Sequence, residues 1–247
     1  DVTVDTVNVF ISKWRKRKNI LITEYQSNNF IEKHSIEIDR LLKHKDYIFD
    51  IQTNKVQNMI LNKINQWTLL IQEILDISTW VKEYQVWKWK PKQKQEDKDS
   101  LIFNANHKKD LTYQKQLRWS DIDKYLIQWR GWFISYWEWL AEPRNPKFFE
   151  WKRILLRKIP WINTLITSYT DEDYIIDQSV YIWKIANTDF NIKYILWLLN
   201  SKLMWFYFKF SQWEFDEVFP QIKVNQFKCL PIKNIPITDQ QPFIEKA

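Results

Sequence analysis

A chain of 247 residues with one glycine and sixteen tryptophans has almost no residue able to turn it. Glycine enters positive φ without a steric penalty, and average usage of about 7% would supply roughly 17 of them at this length. The tryptophans stand where glycines belong. Pro160-Trp161-Ile162-Asn163 lies between two apolar runs, where a turn wants Pro and then Gly. Val86-Trp87-Lys88-Trp89-Lys90 reads naturally as V-G-K-G-K, and Trp119 follows Arg118 in a loop entering a helix. We therefore read most of the tryptophans as UGA codons that the organism translates as glycine. Trp129 and Trp139, in aromatic strand-like contexts, are read as tryptophan. The alternative is a truly tryptophan-rich protein, with indoles as stacking platforms for bases or carbohydrate. With tryptophan at its turns, the chain is expected to be strained or badly packed there.

Charge and cysteine usage bound the class. Lys and Arg number 37 against 30 Asp and Glu, a net +7 that favours a polyanionic partner without proving one. Cys229 is the single cysteine, so no disulfide framework exists and a cytoplasmic location is expected. No apolar run approaches 18 residues, so no membrane association is expected. The start at Asp1 and the last residues, Pro242 to Ala247, lead us to expect a fragment of something longer.

Val2 to Ile11 alternates like a half-buried strand, Lys13 to Lys18 makes a charged turn, and Asn19 to Tyr25 is a second strand. Apolar spacing predicts helix from Phe30 to His44, and again from Lys55 to Ile77 with a break near Gln66-Trp67. Lys82 to Ser100 reads as a loop or ribbon. Tyr125 to Tyr136 and Arg153 to Ser168 look like strands, the latter folded into a hairpin at Pro160-Trp161. Phe190 to Phe210 reads as one long helix capped by Thr188 or Asp189. Interspersed elements without strict alternation predict an α+β fold, with mixed helices and irregular β-sheet.

Catalytic patterns are sparse. His34, His44 and His107 are scattered, and one cysteine cannot complete a structural zinc site. No G-x-S-x-G or P-loop appears, even with glycines restored. Asp216 with Gln221 and Lys223 imitates the spacing of a magnesium-dependent nuclease site, but Phe219 to Lys223 reads better as a strand entry. We assign no catalytic, cofactor-binding or metal-binding residues in this chain.

With glycines restored, Ser78 to Lys90 reads S-T-G-V-K-E-Y-Q-V-G-K-G-K, Leu117 to Ile122 reads L-R-G-S-D-I, and Ser135 to Arg144 reads S-Y-G-E-W-L-A-E-P-R. Then come Ile195 to Leu203, with L-x-x-L-N-S-K-L, Phe219-Pro220-Gln221-Ile222-Lys223, and Leu230-Pro231-Ile232. This order resembles the TaqI-like C-terminal specificity domain of type II DNA adenine methyltransferases and fused restriction–modification enzymes. The resemblance covers residues 20 to 247 and places glycine at positions 80, 87, 89, 119, 137 and 197. It implies terminal strands of an upstream methyltransferase domain at 1–25 and a DNA target-recognition domain at 26–247, truncated at its C-terminus. It also implies S-adenosylmethionine in that upstream domain, which would carry an Asn-Pro-Pro-Tyr-type motif. Asn145-Pro146-Lys147-Phe148 is only a partial echo of that motif. Magnesium would enter only with a fused nuclease module. The implied partners are double-stranded DNA and the upstream methyltransferase domain, and the implied role is to read the target and support base flipping.

The candidate DNA contacts follow from side-chain chemistry. Lys82, Lys88 and Lys90 belong to a basic ribbon suited to phosphates, or equally to a flexible solvated loop. Tyr84 and Gln85 suit stacking or base readout. Arg118 and Arg144 lie at loop boundaries, where they could meet phosphate or guanine; Arg144 could equally pair with Glu142. Ser135, Tyr136 and Glu138 mark a strand-to-loop junction, and Arg153 and Arg157 share one strand face by period two. Two rivals remain: a protein-interaction module with an incidental basic face, and a standalone nuclease around Asp216 and Lys223. Peptide mass spectrometry on the native protein is expected to find glycine mass at positions 87, 89 and 161. Tryptophan mass there would refute the codon reading.

Overall fold

Ser27 and Asn28 both have positive φ, 49° and 66°, the pairing that a tight two-residue hairpin turn requires. They fold β1 (Asn19–Gln26) back on β2 (Asn29–Glu37) in an antiparallel pair running from Gln26 opposite Asn29 to Asn19 opposite Glu37. The helical spacing read over Phe30 to His44 is therefore corrected. A strand occupies most of it, and only α1 (Ile38–Leu42) is helical, because the turn dictates pairing before helical spacing can act. The computed structural model describes residues 18–42, 50–66, 68–78, 80–161, 163–211 and 221–247. The expected strand at Val2 to Ile11 lies outside them, as does most of the charged turn after it.

Compactness divides the chain into Asp1–Asn62 and Lys63–Ala247, whereas the sequence expectation set its boundary at 25/26. In the first unit, Arg40 donates to the carbonyls of Asp50 and Thr53, both at 2.9 Å, and pairs with the Asp50 carboxylate at 3.2 Å. Helix α2 (Lys55–Ile64) ends well short of Ile77. Beyond it come β3 (Thr68–Leu70) and β4 (Leu75–Ser78), since Leu75 to Ser78 find a β partner that outweighs helical spacing.

The second unit is built on a four-stranded antiparallel sheet. Its strands are ordered β11 (Thr167–Thr170), β10 (Arg153–Arg157), β13 (Val180–Ile185) and β4. The β10–β11 hairpin predicted at Pro160-Trp161 is present, with Trp161 bridged to Thr164 at its tip. A second sheet orders β12 (Ile175–Ile176), β6 (Tyr113–Leu117), β9 (Phe133–Ser135) and β5 (Asn104–Ala105), with only β12 and β6 parallel. Two small pairs complete the β-structure: β7 (Ile122–Asp123) with β8 (Leu126–Ile127), and β3 with β14 (Pro231–Lys233). Leu155, Ile182, Val180, Leu117, Ile134 and Leu140 are among the buried side chains of one continuous apolar cluster. The fold is α+β, and no described helix is long and apolar enough to cross a membrane.

The long helix read over Phe190 to Phe210 is two helices, α4 (Ile192–Leu199) and α5 (Lys202–Ser211). Asn200 causes the break. Its buried amide accepts from the Thr167 N–H at 3.2 Å and donates to the Thr167 carbonyl at 2.9 Å, locking the helix end to β11. Ser201 then opens α5 by accepting from the Met204 N–H at 3.1 Å. At the start of α4 the cap is Asn191, whose side chain accepts from the Lys193 N–H at 2.9 Å, not Thr188 or Asp189.

The tryptophans divide in two. Trp87 and Trp89 are 93% and 91% exposed, and Trp119, Trp137, Trp151 and Trp161 are also exposed. Trp151 sits at φ 67°, a left-handed conformation that costs an ordinary residue roughly 1–2 kcal/mol. Trp129 and Trp139 are packed against the core, and each donates its indole N–H to a carbonyl, of Trp132 at 2.9 Å and Ser135 at 3.0 Å. Trp151→Gly should raise stability by about 1 kcal/mol in chemical denaturation, because it relieves the left-handed strain and uncovers little apolar surface. A loss of stability would show the indole to be packed after all.

Candidate functional site

Lys82 begins the site, and its position is set by main-chain bonds. Its N–H donates to the Glu142 carbonyl at 3.0 Å, and the Glu142 N–H returns to the Lys82 carbonyl at 2.8 Å. This two-residue ladder clamps the segment from Val81 to Gln85 against the loop from Leu140 to Arg144. Gln93, buried in the loop, reinforces the clamp. Its amide donates to the carbonyls of Glu83 at 3.0 Å and Trp139 at 2.9 Å and accepts from the Gln85 N–H at 2.7 Å. The lysine-rich ribbon is thus ordered by one internal glutamine.

A cavity of about 510 Å³ lies beside the clamp, lined by Lys82, Glu83, Tyr84, Lys98, Arg118, Trp119, Asp177 and Gln178, among others. Its floor is organised by a relay of amides. The Phe103 N–H donates to the Tyr84 hydroxyl at 2.9 Å, and that hydroxyl donates to Asn104 at 3.0 Å. Asn104 donates to Gln116 at 3.1 Å, and Gln116, wholly buried, donates to the Glu83 carboxylate. Burial raises the Glu83 pKa above the usual carboxylate range, against the stabilising bond from Gln116. Burial likewise raises Asp177, whose carboxylate accepts from the Ser179 N–H at 2.9 Å.

Arg118 acts on both carboxylates and Lys158 on Asp177, and these two cations, with Arg157, rest on indole faces. Arg118 lies 3.9 Å from the Trp132 ring, Arg157 4.9 Å from Trp119, and Lys158 3.3 Å from Trp80. Ser179 holds the group together, its hydroxyl accepting from the Trp119 N–H at 2.9 Å and its carbonyl from the Lys158 N–H at 3.0 Å. The arrangement offers donors and acceptors side by side, which suits the mixed edge of a nucleobase pair better than a simple ion.

Of the residues predicted from sequence, Lys82, Tyr84 and Arg118 meet at this cavity. Gln85 stands next to it, accepting from the Lys82 ammonium at 3.0 Å. Lys90 and Glu138 are exposed. The others are placed differently. The Lys88 ammonium is spent on the Ala141 carbonyl, Ser135 is buried with its hydroxyl 2.8 Å from that of Thr112, and the Tyr136 hydroxyl donates to the Arg144 carbonyl at 2.8 Å. Arg144 pairs with Glu142, the structural alternative, and donates to the Trp80 carbonyl at 3.1 Å.

Arg153 and Arg157 share a strand face as expected, but β10 is buried along its whole length and both side chains lie inside it instead of at a surface. Arg153 is 0% exposed and donates to the carbonyls of Trp151 at 2.7 Å and Glu172 at 2.6 Å, while Arg157 is 8% exposed. Burial lowers the Arg153 pKa to about 10. Tyr84, too, has its hydroxyl engaged and its ring stacked on Phe103 at 5.2 Å, with burial moving its pKa to about 12. Sequence reading passed over Glu83 and Asp177. Glu83 was visible only as one acid beside a lysine, and nothing in the chain marked Asp177 as its neighbour.

Asp216 lies outside the described residues, so the rival nuclease pairing with Lys223 has no geometry here. The described part of that motif, Gln221 to Lys223, leads into α6 (Val224–Lys228) instead of a strand. Among the described residues, no group of three or more His, Cys, Asp or Glu is placed to hold a metal ion.

Residues 114–232 match the TaqI-like C-terminal specificity domain family, a shorter span than the motifs suggested. Among solved structures, the chain is similar to an HsdS subunit from Thermoanaerobacter tengcongensis, at 9% identity and a TM-score of 0.40. That alignment covers 78% of this chain and 43% of the other, so this chain spans less than half of its length. No curated protein matches the sequence. Arg153→Ala should cost about 3 kcal/mol in urea denaturation, because carbonyls now bonded to a buried guanidinium would lose their donors. An unchanged midpoint would return Arg153 to the list of surface contacts.

Proposed function

We propose, from the membership of residues 114–232 in the TaqI-like C-terminal specificity domain family, that this chain reads the sequence of double-stranded DNA for a restriction–modification enzyme. The family match carries this reading, and the mixed cavity at the clamp supports it. The finer assignment is to a type II adenine-N6 methyltransferase, alone or fused to a nuclease, in which this part grips the duplex and supports flipping of the target base.

Methyl transfer is assigned to an upstream domain. S-adenosylmethionine carries a sulfonium cation, and a cavity lined by Lys82, Lys98 and Arg118 against two carboxylates is a poor host for it. The exposed Lys90 and the cavity-lining Lys82 are suited to phosphate contacts, which position the protein without reading sequence. Magnesium belongs only to a fused nuclease.

Fluorescence anisotropy with duplex DNA across a salt series tests the proposal. The logarithm of the association constant should fall linearly with the logarithm of salt concentration. Lys82→Ala and Lys90→Ala should each reduce the magnitude of that slope by about one. Affinity that ignores salt, or the absence of duplex binding, would favour the protein-interaction module.

A further inference from the structure

Glu83 is unusual in how firmly it is held. Its carbonyl accepts from the Ala141 N–H at 3.1 Å and from Gln93 at 3.0 Å, while the buried Asn104–Gln116 relay orients its carboxylate. A buried amide relay ending on a carboxylate gives little stability, since desolvation of the charge opposes it. Such an arrangement makes physical sense as a preorganised acceptor. Arg118 lines the same cavity close enough to favour the Glu83 charge.

Acceptor and donor side by side have one good complement among base-pair edges. In the major groove, cytosine presents an amine donor, and its partner guanine presents two acceptors, O6 and N7. A carboxylate suits the cytosine amine, and a guanidinium binds guanine O6 and N7 in bidentate fashion. Adenine is a worse match for Glu83, because its N7 lies beside its amine and would face the second carboxylate oxygen.

Resting on the DNA-reading function above, we propose that Glu83 and Arg118 together read a C·G base pair, Glu83 accepting from the cytosine amine and Arg118 donating to guanine. Lys82 and Lys98 at the same cavity are suited to the phosphates flanking that pair. Gln116 and Asn104 are positioning residues, acting through Glu83.

The test is selection of bound duplexes from a randomised library by the full chain, by Glu83→Gln and by Glu96→Gln. The last removes the same charge from exposed α3 (Gln95–Asp99) and serves as control. The parent chain and the control should enrich one motif containing a C·G pair. Glu83→Gln should lose preference at that pair alone, by about tenfold, and should melt no lower than the parent. An unchanged Glu83→Gln motif, or equal loss of preference at every position, would overturn the proposal and leave DNA reading intact. If the parent chain enriches nothing, both fall together.

Discussion

Two main-chain hydrogen bonds between Lys82 and Glu142 join segments sixty residues apart, and the geometry of the site is built around them. They set the register in which Glu83 turns toward Gln116 and Lys82 toward the cavity. Both bonds are backbone, so the clamp tolerates a change of side chain at either position. The conformation of the following ribbon then rests on Gln93, which satisfies three polar groups from one buried position.

Local signals were legible where a short stretch carried its own instruction. The β10–β11 hairpin is written in Pro160 and the apolar runs beside it, and β1 in the short apolar run Ile20-Leu21-Ile22. Errors arose where a pairing partner, near or far along the chain, outweighed helical spacing. Phe30 to Glu37 has helical apolar spacing, yet the Ser27-Asn28 turn returns it to β1. Phe190 to Phe210 has an unbroken helical pattern, but Asn200 spends its amide on Thr167, thirty-three residues away. No short window of sequence contains both Asn200 and Thr167.

The site was half legible for the same reason. Charge and family motifs pointed to Lys82, Tyr84 and Arg118, which do converge. Period two placed Arg153 and Arg157 on one face, but β10 is buried on both faces, which alternation does not reveal. Glu83 and Asp177 were invisible because a carboxylate becomes notable only through its surroundings. Burial raises the pKa of both, so their charged forms oppose folding at neutral pH. The sign is definite: the folded state holds these protons more tightly, so their contribution to stability is greatest below the ordinary carboxylate range and declines as pH rises through the elevated values.

The indole shelves under Arg157 and Lys158 carry a consequence for the genetic code itself. Trp119 and Trp80 occupy positions where glycine is expected, and a ring over a cation screens it from water and from other ions. Glycine in their place would take the ring away from both cations. A codon translated as one amino acid or the other thereby resets the electrostatic potential of a binding surface, though no basic or acidic residue has changed. In such a chain, decoding is a determinant of molecular recognition.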